Sequence, residues 1–134
     1  MIKLITGKKG TGKTKILIDM INADAKASKG NIVCIEKGAK LTYDIPHSVR
    51  LADVEEYDIN GYDAFYGFIA GMFAGNFDIC EVFVDSILKI GGKDFYALGT
   101  LLQKIDKISK DIKIVFTVSA DDCDLPDSVK AFIN

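Results

Sequence analysis

The stretch Gly7-Lys8-Lys9-Gly10-Thr11-Gly12-Lys13-Thr14 decides the fold predicted for this chain. It satisfies the pattern GxxxxGK[ST] at every fixed position, and this pattern is typical of a loop that binds phosphate groups. The apolar run Ile2–Thr6 precedes it, and Thr14–Ala27 follows with apolar residues at helical spacing. The sequence therefore predicts a β-strand, a glycine-rich loop and an amphipathic helix in this order.

The residue types of this loop have a chemical purpose. Glycines at positions 7, 10 and 12 let the backbone turn tightly and point its N–H groups inward, where they and the helix N-terminus form a cradle for anions. Lys13 is predicted to reach the β- and γ-phosphates of a nucleotide, and Thr14 to offer its hydroxyl oxygen to Mg²⁺. Lys8 and Lys9 occupy variable positions, where they either raise the positive potential of the loop or lie in solvent.

Asp85 is the second predicted ligand of Mg²⁺. It follows the apolar run Val82–Val84, and a phosphate loop of this kind needs an Asp at the end of a second strand to hold the metal. Because the carboxyl ends of parallel strands face the ligand crevice, we expect Asp85 at the same edge as Gly7. The alternative is that Asp85 only caps the following turn. The next residue is Ser86, so no second carboxylate stands beside it.

Glu36 is the candidate general base. It ends the β-branched run Asn31–Glu36, which places it at the same predicted edge, but a base must also contact the attacking water. The alternative is an ordinary acidic residue at the start of a loop. Thr117 and Ser119, near the end of the apolar run Ile112–Val118, are candidates for sensing the terminal phosphate, unless their hydroxyls bond to nearby backbone.

Predicted strands and helices alternate along the whole chain. Further strands are predicted at Asn31–Glu36, Glu81–Ile87 and Ile112–Val118, with a short strand or extended edge at Val49–Val54; helices are predicted at Asn60–Asn76 and Lys93–Ser109, with a short last one at Ser128–Ile133. This alternation implies crossover connections and a mostly parallel sheet with helices on both faces. We therefore predict a three-layer α/β/α fold with four or five strands, and residues 1–134 as a single nucleotide-binding domain.

The composition is that of one folded domain. The chain has 134 residues, of which 49% are apolar and 27% charged, and its formal net charge of −2 gives no case for nucleic acid as a partner. No stretch reaches the roughly 18 apolar residues of a membrane span, and the start does not resemble a signal peptide. Cys34, Cys80 and Cys123 form no CxxC pair, so we expect reduced thiols and a cytoplasmic location.

The single arginine limits the possible chemistry. Because Arg50 is the only one, no set of arginines can clamp phosphate groups. A surface salt bridge of Arg50 with Asp53 or Glu56 is predicted, with a finger that acts on a neighbour's nucleotide as the alternative.

The phosphate loop and Asp85 together resemble those of P-loop NTPases, and the strand–helix order is similar to the RecA-like and AAA-type branch. In RecA-like proteins a water-activating glutamate ends the strand after the loop helix, which is the position of Glu36. The resemblance implies that ATP and Mg²⁺ bind, with Thr14 and Asp85 around the metal and with Lys13 and Glu36 as catalytic residues. This branch has a strand between the strands of the loop and of the Asp, whereas kinases and GTPases have these two strands adjacent.

Three hypotheses of function follow. The first is a weak ATPase or ATP-dependent switch, similar to a minimal bacterial ATP-binding protein, that acts through a protein partner or by self-association. The second is a small-molecule or nucleoside kinase-like phosphotransferase, because the opening also resembles thymidine kinase; its acceptor pocket would lie near Tyr43–Arg50. The third is a module that binds nucleotide without hydrolysis, which Ser86 favours. Gly67, Gly71 and Gly75 predict close packing of their helix on the sheet or on a second subunit.

Overall fold

The computed structural model describes residues 1–133. Its strands are β1 (Ile2–Gly7), β2 (Asn31–Glu36), β3 (Arg50–Asp53), β4 (Ile79–Val84) and β5 (Lys113–Ser119). Its α-helices are α1 (Lys13–Ala27), α2 (Tyr62–Gly75), α3 (Ile87–Gly91), α4 (Phe95–Ser109) and α5 (Asp127–Lys130), with short 3₁₀ turns at Val54–Tyr57 and Asp122–Asp124. The predicted alternation of strands and helices is confirmed.

The five strands form one parallel sheet in the order β1-β5-β4-β2-β3. The strand β5 therefore lies between β1 and β4. The register pairs Gly7 with Ser119, Val84 with Phe116 and Ile35 with Val84, so the carboxyl ends of β1, β5, β4 and β2 meet at one edge. The predicted α/β class with a mostly parallel sheet is confirmed.

Apolar side chains alternate between the two faces of the sheet and form a core on each. On one face α1 packs against β2, β4 and β5 through Leu17, Ile21, Cys34, Phe83 and Val115. On the other face α2, α3 and α4 pack against the same strands through Phe65, Ile69, Ile87, Leu98, Ile35, Val84 and Phe116. Strands buried on both faces explain why their sequences are almost continuously apolar.

The structure differs from the predicted elements at the end of β4. The predicted strand Glu81–Ile87 ends at Val84, because Ser86 adopts a left-handed conformation with a φ of 58° and α3 begins at Ile87. The short helix α3 was not predicted. The predicted last helix, Ser128–Ile133, lies instead at Asp127–Lys130.

The predicted ion pair of Arg50 is not formed among the described residues. Arg50 donates a hydrogen bond to the Tyr57 hydroxyl at 3.2 Å and forms no salt bridge with Asp53 or Glu56 within residues 1–133, so the predicted ion pair is wrong. The carboxylate of Asp53 instead accepts hydrogen bonds from the N–H groups of Gly38 and Glu55.

The glycines of α2 do not pack closely on the sheet. The helix α2 packs on the sheet through Phe65 and Ile69, but a Cβ atom added at Gly67, Gly71 or Gly75 would meet no atom within 4 Å, so these glycines do not bring about that packing. Packing on a second subunit stays a prediction. In the described part of the chain, no helix combines the length and apolar character needed to cross a bilayer.

Candidate phosphate-binding site

The backbone of the loop between β1 and α1 needs its glycines. Gly7, Gly10 and Gly12 have φ angles of 146°, 85° and 85°, in the region that side-chain-bearing residues rarely adopt. At Gly7 an added Cβ would also lie 2.7 Å from the Thr11 hydroxyl. Gly12 precedes the first residue of α1, and that helix has neither a capping side chain nor an acidic residue in its first turn. The helix therefore begins without a capping or acidic side chain of its own to offset its partial positive charge.

Lys13 folds back over this loop. Its Nζ donates a hydrogen bond to the Lys8 carbonyl at 2.7 Å, and the Thr11 hydroxyl donates to the same carbonyl at 2.7 Å. The residue is only 7% exposed, and burial lowers the pKa of Lys13 although the nearby Asp85 carboxylate opposes this shift. Within residues 1–133 the N–H groups of Gly10 and Gly12 donate to no backbone carbonyl. The loop thus combines the Lys13 ammonium with N–H groups that have no backbone acceptor in the described part of the chain.

Asp85 lies beside the start of α1, at the edge of the sheet that its position in the sequence predicts. The Thr14 hydroxyl is 3.2 Å from Oδ1 and 3.3 Å from Oδ2 of Asp85, and the Thr117 hydroxyl donates to Oδ1 at 2.8 Å. The N–H of Asp85 donates to the Ile35 carbonyl at 2.9 Å, which fixes its backbone to the neighbouring strand β2. The carboxylate is buried and faces two hydroxyl oxygens from different elements.

Thr117 orients this carboxylate from β5. Besides donating to Asp85, its oxygen accepts a hydrogen bond from the Ser86 N–H at 2.6 Å. The expectation of a hydroxyl bonded to nearby backbone is met in this way. Thr117 and Ser119 both line the cavity beside the loop, and a sensing role for either residue stays a prediction.

Glu36 lies at the predicted edge, but its carboxylate has another partner. Its Oε2 accepts a hydrogen bond from the Leu41 N–H at 2.9 Å, and the residue is only 3% exposed. Burial raises the pKa of Glu36; hydrogen bonds from the N–H groups of Leu41 and Lys40 oppose the shift, and the charge of Asp85 adds to it. Glu36 does not line the cavity beside the loop. The structure therefore places it near Asp85 but ties it to the segment after β2.

A cavity of about 650 Å³ lies beside the loop. Three segments form its wall: the loop and the start of α1, the segment from Ser86 to Lys93 around α3, and the end of β5. Four lysines and no carboxylate line it, namely Lys9, Lys13, Lys89 and Lys93. The sequence does not single out Lys89 and Lys93, because the apolar run predicts a strand through Ile87 where the structure has the short helix α3. Their spacing of four residues directly after Asp85 was the available signal.

The site combines backbone donors, lysine ammonium groups, hydroxyl oxygens and one buried carboxylate at a single edge of the sheet. These groups suit a polyanion together with a hard cation such as Mg²⁺. No protein-family model matches the chain, and no curated protein is significantly similar to it in sequence.

Proposed function

We propose that this chain binds a nucleoside triphosphate with Mg²⁺, in particular ATP, on the loop Gly7–Thr14. One observation carries the proposal: the Thr14 hydroxyl, at the start of α1, lies within 3.3 Å of both oxygens of the buried Asp85 carboxylate. A glycine loop alone binds phosphate, but a hydroxyl and a carboxylate brought together beside it also provide for a metal.

The loop fits a chain of phosphate groups. Positive φ angles at Gly10 and Gly12 leave their N–H groups without backbone acceptors, and Lys13 supplies a charge at the same place. The ammonium of Lys13 bonds to the Lys8 carbonyl, a weaker acceptor than a phosphate oxygen. When phosphate binds, Lys13 would exchange a neutral acceptor, the Lys8 carbonyl, for a charged phosphate oxygen. This exchange favours binding.

The residues around Asp85 fit Mg²⁺, which prefers oxygen ligands and keeps several waters. Thr14 and Asp85 would hold it, directly or through water, while Thr117 keeps the carboxylate oriented. When bound, Mg²⁺ neutralises charge on the phosphates. The order of strands, with β5 between β1 and β4, supports the RecA-like branch among P-loop NTPases.

We propose that hydrolysis is slow and that the role as a switch depends on a protein partner. Glu36, the candidate base, bonds to the Leu41 N–H and lies outside the cavity, so its carboxylate must leave that partner before it can orient a water. Ser86 supplies no carboxylate in its place. These two observations equally favour a module that binds nucleotide without hydrolysis, which is the second candidate.

Three free cysteines agree with the proposed cytoplasmic location.

Calorimetric titration of Mg²⁺ with ATP, ADP and GTP tests the binding proposal. We expect the wild type to bind ATP and Lys13→Ala to bind it at least about a hundredfold more weakly, because a charged contact is lost from a desolvated site. Lys15→Ala, an exposed lysine two positions further along α1, is the matched control. Equal binding by the wild type and Lys13→Ala, or no binding by either, would contradict the proposal.

Turnover distinguishes the switch from the passive module. With release of inorganic phosphate as the readout, we expect slow hydrolysis by the wild type, and Glu36→Gln to retain ATP affinity but lose turnover. Lys13-dependent hydrolysis that is unchanged in Glu36→Gln would remove Glu36 from the mechanism. The absence of hydrolysis in a wild type that binds ATP would favour the module.

A further inference from the structure

We infer that Lys89 and Lys93 bind the terminal phosphate of the triphosphate and thereby make the site prefer triphosphates over diphosphates. This inference rests on the proposed function and names the residues that set its ligand class. The two lysines line the same cavity as Lys13, but they come from the segment around α3 and not from the phosphate loop.

Buried apolar residues fix the segment that carries these two lysines. Ile87 and Ile90 are buried in the core, whereas Lys89 and Lys93 are exposed. Because α3 buries its apolar residues, the basic side chains are left on the side of the cavity. The Ser86 N–H bonds to Thr117, so the beginning of this segment is tied to the same hydroxyl that orients Asp85.

The other end of α3 is tied to α2. The Gly61 N–H donates to the Ile90 carbonyl at 2.9 Å, and the Tyr62 hydroxyl donates to the Gly92 carbonyl at 2.5 Å. Gly92 ends α3 with a φ of 97°, just before Lys93. The backbone of Lys89 therefore lies between fixed anchors, and Lys93 directly follows the second one, so the position of both residues beside the loop is defined before any ligand arrives.

Within the described chain no carboxylate neutralises the charge of these lysines. Neither Lys89 nor Lys93 pairs with a carboxylate among residues 1–133, and no carboxylate lines the cavity. The chain as a whole carries a net charge of −2, so a cavity with four lysines is a local excess of positive charge. Such a concentration of ammonium groups attracts a polyanion and favours the one with more charge.

Arg50, the only arginine of the chain, does not line this cavity. Arg50 begins β3, at the edge of the sheet opposite to Asp85, and bonds to Tyr57. It lines a different cavity together with Asn31 and Ile79, which begin β2 and β4. Neutralisation of the terminal phosphate within one chain therefore falls to lysines.

Calorimetry with four probes tests the inference: Mg²⁺ complexes of ATP, ADP, inorganic tripolyphosphate and pyrophosphate. The variant is Lys89→Gln with Lys93→Gln. The matched control is Lys107→Gln with Lys110→Gln, which removes the same charge from the far end of α4, where both residues line a separate cavity. Thermal unfolding of each variant shows that it is folded, and the two single variants replace the double variant if that one does not fold.

We expect the wild type and the control to bind ATP more tightly than ADP, and tripolyphosphate more tightly than pyrophosphate. In the Lys89/Lys93 variant we expect both ratios of affinity to fall by about tenfold for each lysine, the usual effect of a lost charged contact, while ADP affinity changes by less than about threefold. The parallel fall for the inorganic probes shows that the contact is to phosphate and not to the base.

An unchanged ratio in the Lys89/Lys93 variant would overturn this inference and leave the proposed function standing. A wild type that binds triphosphates and diphosphates equally would do the same. If the wild type binds neither ATP nor tripolyphosphate, the proposed function fails and the present inference fails with it. An equal loss in the control would show a general effect of net charge and would also overturn it.

Discussion

The Thr117 hydroxyl donates to Asp85 Oδ1 at 2.8 Å while its oxygen accepts a hydrogen bond from the Ser86 N–H at 2.6 Å. In Thr117→Val the Asp85 carboxylate and the Ser86 N–H each lose a hydrogen bond. Thr117 is only 1% exposed, so water cannot readily replace its hydroxyl. We expect the free energy of unfolding to fall by about 1–3 kcal/mol, the cost of a buried polar group without a partner. Denaturant unfolding measures this change, and Thr117→Ser is expected to restore most of it.

The same substitution is expected to weaken the dependence of ATP binding on Mg²⁺, because the Asp85 carboxylate loses its orientation. Thr100→Val is the control: its hydroxyl bonds to the Tyr96 carbonyl on the exposed side of α4, and we expect a change within about 0.5 kcal/mol. A Thr117→Val protein with wild-type stability and wild-type dependence on Mg²⁺ would show that this hydroxyl has no positioning role.

Glu36 gives the protein a defined dependence of stability on pH. Burial holds the pKa of Glu36 in the folded state above its value in the unfolded chain. The neutral carboxyl therefore stabilises the fold below the unfolded pKa, about 4.3, and this contribution is lost as pH rises through the folded pKa. Because glutamine does not ionise, the stability of Glu36→Gln relative to the wild type should increase with pH across this window and then level off.

Urea unfolding of both proteins at several pH values from 4 upward, roughly to 8, measures this difference. Glu56→Gln, at an exposed position, is the control for the substitution itself. A relative stability of Glu36→Gln that decreases with pH would contradict the prediction, since it would mean that the fold stabilises the ionised carboxylate through the Leu41 N–H.

Two helical glycines should respond to alanine in opposite directions. A Cβ added at Gly67 in α2 meets no atom within 4 Å, so Gly67→Ala should raise the free energy of unfolding by up to about 1 kcal/mol through helix propensity. A Cβ added at Gly99 in α4 would lie 2.9 Å from the Ser128 Cβ, so Gly99→Ala should destabilise the fold. Thermal or denaturant unfolding distinguishes the two. A loss of stability in Gly67→Ala would contradict this prediction.

Ser128→Ala is expected to stabilise the protein. The Ser128 hydroxyl is buried and has no hydrogen-bond partner within residues 1–133. Its removal relieves the cost of burying an unpartnered polar group, about 1 kcal/mol or more, and leaves nearly the same packing. Denaturant unfolding measures the gain. Ser109→Ala is the contrast, because the buried Ser109 hydroxyl donates to the Asp106 carbonyl at 3.1 Å and its loss should lower stability.

The loop Gly7–Thr14 and the edge position of Asp85 were predictable from sequence, because a local pattern specifies the backbone and strand ends specify the edge. The orientation of Glu36 was not predictable, since its partner is a backbone N–H five residues further along a loop without periodicity. The helix α3 was missed because it has only five residues and continues an apolar run. With α3 unrecognised, Lys89 and Lys93 could not be assigned to the site.

The pairing of β1 with β5 bears on how the protein acquires its site during synthesis on the ribosome. β1 neighbours only β5 in the strand order, Ile2 pairs with Ile114, and the Gly7 N–H bonds to the Ala120 carbonyl. A growing chain therefore exposes its phosphate loop before β5 is made, and it cannot seat the loop in the sheet until β5 has emerged. Since the ribosome adds about 5–20 residues per second, nascent chains pass several seconds between the synthesis of the loop and that of β5, and ligand can stabilise only chains in which β5 has already emerged.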